Sequence, residues 1–334
     1  MISTRNMKLL NSVECALFDI DGVLVDVRKS YYLAIKKSVE FIMKSMRGKL
    51  HTLPIVTDTL ILKFKQAGGF NNEIDIAYAI ILALMSMPFI DWTSNKKDFL
   101  FIVAQNANET GISSVEDYLS SLSSLSQIRK LKQDLVYPAP VGKSPLATVF
   151  DELFYGPTLF RTQHGIESQY YRGRPLIDND EIVIKKETVN LISEKLQGSI
   201  ALISGRSKLA AQYSLEPIIN MFDKNASVFL EDESRKHWKP NPYSIIKAMT
   251  SLGAKTSLYV GDSVEDLYMT RKAEKAMDVK ILFIGVYGCS VQPQDTIRKF
   301  RENNVALIIE SVNCLPDLMK IGTHHHLSEH SPVL

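Results

Sequence analysis

Six short apolar runs limit what this chain can fold into. Cys15–Phe18, Ile200–Ile203, Ser227–Leu230, Ser257–Val260, Lys280–Ile284 and Val305–Ile309 are each too short for a typical helix, and helical stretches separate them from residue 183 onward. Such alternation predicts an α/β fold, a parallel sheet covered by helices, with ligands bound at the carboxyl ends of the strands. Val312–Met319 reads as a closing helix.

Four stretches carry chemistry, three of them at the ends of these runs. The first run leads into Asp19-Ile20-Asp21-Gly22. Asp19 and Asp21 share a face of the strand end, and two carboxylates that close repel unless a cation or a shared proton offsets them. Gly22 then permits a sharp turn. The strand pattern Ser199–Ile203 delivers Ser204-Gly205, a hydroxyl followed by a free backbone amide. Lys239 opens Lys239-Pro240-Asn241-Pro242 ahead of a helical pattern, Tyr243–Met249. The run Ser257–Val260 enters Gly261-Asp262-Ser263-Val264-Glu265-Asp266, again acidic at a strand end.

In order and residue type these segments resemble the four motifs of the haloacid dehalogenase-like (HAD) phosphohydrolases. The resemblance implies a Rossmann-like core and an aspartyl-phosphate mechanism, with Asp19 as nucleophile and Asp21 as proton donor and acceptor. It also implies a magnesium ion held by Asp19, the backbone carbonyl of Asp21 and Asp262, with Ser204 and Lys239 holding phosphoryl oxygens and Gly205 and Asp266 in support. Each residue type suits its task. A carboxylate nucleophile splits one difficult hydrolysis into two easier steps, and magnesium prefers a few oxygen ligands and keeps several waters. Plainer readings stand beside these. Asp21-Gly22 alone fits an ordinary turn, Ser204 fits the cap of a helix starting near Lys208, and Lys236 competes with Lys239, which the KPxP context favours. Asp266 either ligates through water or orients its neighbours.

Between the first and second motifs lie roughly 150 residues of helix-dominated pattern, too much chain for a simple crossover. Tyr31, Ile35, Val39, Ile42, Met43 and Met46 recur at helical spacing, as do Val115, Leu119, Leu122, Leu125, Ile128 and Leu131. Both stripes read as core. The insertion resembles the helical cap class of the family, giving a catalytic core of residues 1–27 and 183–322, a cap of 28–182 and a disordered tail of 323–334. Within the cap, Lys65, Asn71 and Asn72 flank Gly68-Gly69 in the segment most like a substrate loop, although a helix ended by the glycines and another capped by Asn72 fits as well. Arg172 and Arg174 are candidate anion binders, and Pro138, Pro140, Gly142, Pro145 and Gly156-Pro157 mark an irregular stretch suited to a hinge. The apolar stretch Ile76–Ile90 is shorter than the ~20 residues that span a bilayer and reads as a buried helix.

The chain has 334 residues, 45% of them hydrophobic, and a net charge of +2, so the balance gives no general attraction to nucleic acid or membrane surfaces. Cys15, Cys289 and Cys314 are far apart and fall mostly in strand patterns, which fits a reducing cytoplasm. The N-terminus lacks the apolar core of a secretory signal, and the tail holds His324, His325, His326 and His330. Together the residues and the resemblance predict a cytoplasmic magnesium-dependent phosphatase acting on a small phosphorylated metabolite. A phosphomutase of the same family and a metabolite-binding regulator without turnover are the alternatives.

Overall fold

Every one of the six apolar runs becomes a strand, the first with its expected ends and the others with theirs adjusted. In chain order the strands are β1 (Cys15–Phe18), β2 (Val25–Asp26), β3 (Glu181–Ile182), β4 (Ile200–Ser204), β5 (Val228–Phe229), β6 (Thr256–Gly261), β7 (Lys280–Val286) and β8 (Leu307–Ile309). The computed structural model describes residues 4–47, 55–70, 72–86, 96–123 and 125–321, so the predicted tail with its histidines lies outside the described residues. These divide into two units, one within Met1–Asp26 and Glu181–Leu334, the other within Val27–Asp180.

The first unit is built on one parallel sheet in the order β5-β4-β1-β6-β7-β8. Register carries the core. Leu17 pairs with Ala201 on one side and Tyr259 on the other, and Tyr259 pairs with Phe283. These four side chains therefore line up across one face, where Ile245, Met249, Met269, Ile297 and Phe300 from Tyr243–Leu252, Val264–Ala276 and Pro293–Glu302 cover them. Fully burying a Leu, Ile, Met or Phe side chain of this cluster is worth about 1.5–3 kcal/mol. Successive strand residues face opposite ways, so Phe18 points to the other face and meets Phe222 edge-on at 5.9 Å. Burial also pushes the Cys15 thiol up to about 12, with Glu14 adding to it, which keeps that group an unreactive thiol at neutral pH.

Several ends differ from the sequence pattern. The run Ser227–Leu230 pairs only over Val228–Phe229 before short 3₁₀ turns at Leu230–Asp232 and Arg235–His237. The last strand begins at Leu307, not Val305. Val312–Met319 splits into a 3₁₀ turn, Val312–Cys314, and a short helix, Leu315–Leu318, whose first turn accommodates Pro316. Of the three cysteines only Cys15 lies in a strand. The short strands β2 and β3 pair antiparallel, Val25 with Ile182 and Asp26 with Glu181, as a separate ribbon where the chain leaves this unit and returns to it.

The second unit is helical. Its centre is Glu73–Ser86, where every residue from Ile76 to Leu84 is buried, as the apolar stretch predicts; residues 87–90 lie outside the described set. Among the described residues no helix is long and apolar enough to cross a membrane. Tyr31–Arg47 packs against it and against Pro145–His164, with Tyr31 stacked on Phe154 at 4.1 Å. The second apolar stripe is not one helix. It breaks into Ile112–Leu122 and Leu125–Leu135, and Leu122 and Leu125 at the break are exposed while Val115, Leu119, Ile128 and Leu131 are buried. Met46, near the end of the first stripe, is only half-buried. Pro145 opens a helix capped by Ser144, and Gly156 (φ +63°) kinks that helix ahead of Pro157, so these residues shape a helix and not a loop.

Gly285 on β7 leaves no room for a side chain, since a Cβ there would lie 2.7 Å from the ring of Phe300. Gly285→Ala should overpack the core and cost about 1–3 kcal/mol. Urea denaturation should register this as a lower midpoint with an unchanged slope.

Candidate active site

Because the sheet is parallel, the carboxyl ends of its strands share one edge, and the chain switches sides about β1, which lies between β4 and β6. A crevice at that switch point is where open α/β sheets bind ligands. Asp19 follows β1, and its backbone N–H donates to the Val260 carbonyl of β6 at 2.9 Å. Ser204 ends β4, and Asp262 follows β6. Gly22 adopts φ +75°, and a Cβ there would fall 2.1 Å from Asp262 Oδ2, so only glycine lets the turn after Asp21 pass this carboxylate.

Lys239 joins the pieces. Its ammonium donates to Asp19 Oδ2 and Asp266 Oδ1, each at 2.8 Å, and the side chains of the three are 7%, 8% and 0% exposed. Lys236 is exposed, which separates the two lysines that the sequence left in competition. Asp19 Oδ1 accepts from the backbone N–H of Ile20 at 2.8 Å. Burial pushes the Asp19 carboxyl well above the ordinary carboxylate range; Lys239 opposes this, and Asp266, Asp262 and Asp21 add to it. For Lys239 burial works downward, but Asp19 and Asp266 outweigh it and hold the ammonium charged.

Asp266 orients its neighbours. Its Oδ1 accepts from Lys239 and from the Tyr259 hydroxyl at 3.1 Å, and its Oδ2 accepts from the Ser263 hydroxyl at 2.7 Å and the Ser263 N–H at 3.3 Å. Ser263 in turn caps the helix Val264–Ala276. Burial and Asp266 raise the Tyr259 phenol well above its usual range, so it remains a donor.

Asp19, Asp262 and Asp266 offer carboxylate oxygens within 4.8 Å of one another. The set is all oxygen, which suits a hard divalent cation. The charges fit too. Asp19, Asp262 and Asp266 set against the one ammonium of Lys239 leave an excess of negative charge for such an ion to balance. Asp21 contributes no carboxylate to this group; its Oδ1 accepts from Arg206 Nε at 2.6 Å.

Arg206 was not legible among the sequence candidates. It lies two residues beyond Ser204 and is buried, and its own N–H donates to Ser204 Oγ at 3.2 Å. The available signal is an arginine directly after Ser204-Gly205 at a strand end, in a position where arginines are usually solvated. Ser204 does not cap the following helix. Ser207 does, accepting from the Ala210 N–H at 3.1 Å, which leaves the buried Ser204 hydroxyl at the strand end.

The cap candidates are not gathered in the same way. Lys65 donates to Glu73 at 2.8 Å and sits 5.4 Å over the Tyr32 ring, and Asn72 accepts from the Ile74 N–H at 2.7 Å at the start of Glu73–Ser86. Both roles are local ones. Asn71 lies outside the described residues. Arg172 and Arg174 are exposed, and Arg174 faces Asp178 at 3.5 Å. Their segment is tethered by the fully buried Glu152, which accepts the backbone N–H groups of Gln169, Tyr170 and Tyr171 at 2.6–2.7 Å.

A haloacid dehalogenase-like hydrolase family model matches residues 13–274, and the chain belongs to that family. No curated protein matches it. Among the solved structures that share the fold are two that align over most of both chains. A structural-genomics target aligns with a TM-score of 0.58 at 15% identity, over 93% of this chain and 100% of that one. Phosphatase Tt82 from Thermococcus thioreducens aligns with a TM-score of 0.53 at 16% identity, over 86% and 99%.

Lys239→Met should leave Asp19 and Asp266 buried without their shared cation, a loss of about 3–5 kcal/mol at neutral pH. Without Lys239 nothing opposes the upward push of burial on the Asp19 carboxyl, so its folded pKa rises further in the variant and the deficit should shrink as pH falls. Urea melts of both proteins at neutral pH and at pH ~5 check the sign.

Proposed function

We propose that this hydrolase is a magnesium-dependent phosphatase that acts on a small phosphorylated metabolite through an aspartyl-phosphate on Asp19. The observation that carries the reading is the buried Asp19 carboxylate held by Lys239 beside Asp262, at the carboxyl edge of the parallel sheet where the chain switches sides about β1. Magnesium, held by Asp19, the backbone carbonyl of Asp21 and Asp262, would offset the repulsion between an anionic phosphate and the carboxylates.

The protein groups then have distinct tasks. An Asp19 oxygen attacks phosphorus as the bond to the leaving oxygen breaks, and Asp21 gives that oxygen its proton. Asp21, now ionised, takes a proton from the water that attacks the aspartyl-phosphate, which frees Asp19 and inorganic phosphate. Lys239 and the Ser204 hydroxyl hold equatorial oxygens, where charge is spread in the transition state. Ser204 Oγ already accepts from Arg206 N–H, so its own proton is available for a phosphoryl oxygen. In this reading residues 1–27 and 183–322 are the catalytic core and 28–182 a cap that selects the substrate. The three free cysteines suit a cytoplasmic setting.

Asp19→Asn should abolish phosphate release from a panel of phosphorylated metabolites, because an amide is a poor nucleophile. Parental activity in that variant would refute the nucleophile, and transfer of the phosphoryl group to a sugar instead of water would favour the mutase alternative. Metal binding has its own readout. Magnesium at 100 times its Kd should stabilise the parent by about 2.7 kcal/mol in thermal melts, and Asp262→Asn should lose most of that gain.

Asp21→Asn should separate the two steps. Turnover of an alkyl phosphate, whose leaving group needs a proton, should fall by roughly 10²–10⁴-fold. With an aryl phosphate the first turnover should survive as a burst followed by slow release. Rapid-quench kinetics check this, and equal slowing of both phases would move the proton to another group.

A further inference from the structure

Arg206 carries an inference that rests on the proton role proposed for Asp21 and goes beyond it. The Arg206 side chain is 0% exposed, whereas Asp21 is 20% exposed. A guanidinium stays charged in a protein, so its burial costs several kcal/mol unless fixed acceptors replace water. The structure supplies them in a set geometry. Asp21 Oδ1 accepts from Nε at 2.6 Å, and Ser214 Oγ accepts from Nη1 at 2.7 Å. Ser214 ends the helix Lys208–Ser214, whose opening N–H groups are fixed in turn: Glu231 accepts from Ser207 at 3.0 Å and Asp232 from Lys208 at 2.8 Å.

We propose that Arg206 is a positioning residue for proton transfer: it clamps one oxygen of Asp21 and leaves the other to give a proton to the leaving group and take one from water. An unclamped aspartate rotates about two side-chain bonds, and proton transfer needs its oxygen within about 2.6–3.2 Å of the reacting atom. The N–H of the same residue holds Ser204 Oγ. Arg206 thus registers the proton carrier of the first motif against the phosphate-holding hydroxyl of the second. A lysine cannot replace it, because a single ammonium lacks the planar fork that reaches Asp21 and Ser214 together.

The test is a double-mutant cycle of Arg206→Lys and Asp21→Asn, assayed with magnesium on one alkyl and one aryl phosphate monoester. In the parent background Arg206→Lys should lower kcat on the alkyl ester at least about tenfold, part of the 10²–10⁴-fold that general acid–base catalysis carries, and should spare the aryl burst. Its KM should stay within about threefold, since uniform substrate binding is untouched. In the Asp21→Asn background the same replacement should change alkyl kcat by less than about twofold, the non-additivity expected of residues that act as a unit. Ser214→Ala, which removes only the anchor, should give a smaller fall confined to the alkyl ester.

Independent effects that multiply, or a rise in KM alone, would mean that Arg206 serves the phosphate or the fold, and would overturn the proposal. So would unchanged alkyl kcat in both Arg206→Lys and Ser214→Ala. A parent protein that releases no phosphate from either ester overturns the phosphatase reading and this inference together, whereas an active parent with an indifferent Arg206→Lys overturns this inference alone.

Discussion

One ammonium, that of Lys239, has to satisfy two buried carboxylates, and the arrangement around the strand edge follows from that demand. Removing a charge from water costs several kcal/mol even after the protein relaxes, so each member of the group must find partners that stay in place. Lys239 finds Asp19 and Asp266. Asp266 is then saturated by Tyr259 and Ser263, so the lysine cannot drift toward it without breaking bonds already made. Tyr259 belongs to the row of side chains that registers β1, β6 and β7. The position of the ammonium beside Asp19 is therefore held by the hydrophobic core through one phenol. Packing on one face of the sheet and charge at its edge are parts of a single constraint.

The fold was legible where local and global signals agree. Short apolar runs that end in Asp, Ser-Gly or Gly-Asp can hardly be anything but buried parallel strands with polar residues at one edge, and the structure assembles them so. Asp19 was legible for the same reason, since it follows such a run directly, whereas Asp266 lies in the first turn of the helix after β6 and Lys239 precedes another helix, so both were read from the motifs around them. What escaped were features set by distant partners. Leu122 and Leu125 fit a helical repeat, but periodicity does not mark a break between two helices that repeat in phase. Ser204 and Ser207 are both plausible caps by residue type, and only the backbone direction after the strand chooses Ser207. Arg206 is buried because Asp21 and Ser214, eight residues ahead of it, close around it, which no window along the chain contains. The cap candidates were weaker for a related reason: Lys65 pairs with Glu73 on the next helix and Asn72 caps that helix, and residue type alone does not separate such pairing from ligand binding.

The two-stranded ribbon of β2 and β3 has a consequence for how such a chain can change. Pairing Val25 with Ile182 and Asp26 with Glu181 ties the exit and the return of the chain together beside the sheet. The closure entropy of everything between them is met at that ribbon, and it grows only slowly with length, by about 0.6 kcal/mol for each doubling. Residues 27–180 can then lengthen, shorten or be exchanged while the strands that carry Asp19, Ser204 and Asp262 keep their register. The ribbon works as a socket: whatever is plugged in between its strands, the sheet sees the same two ends.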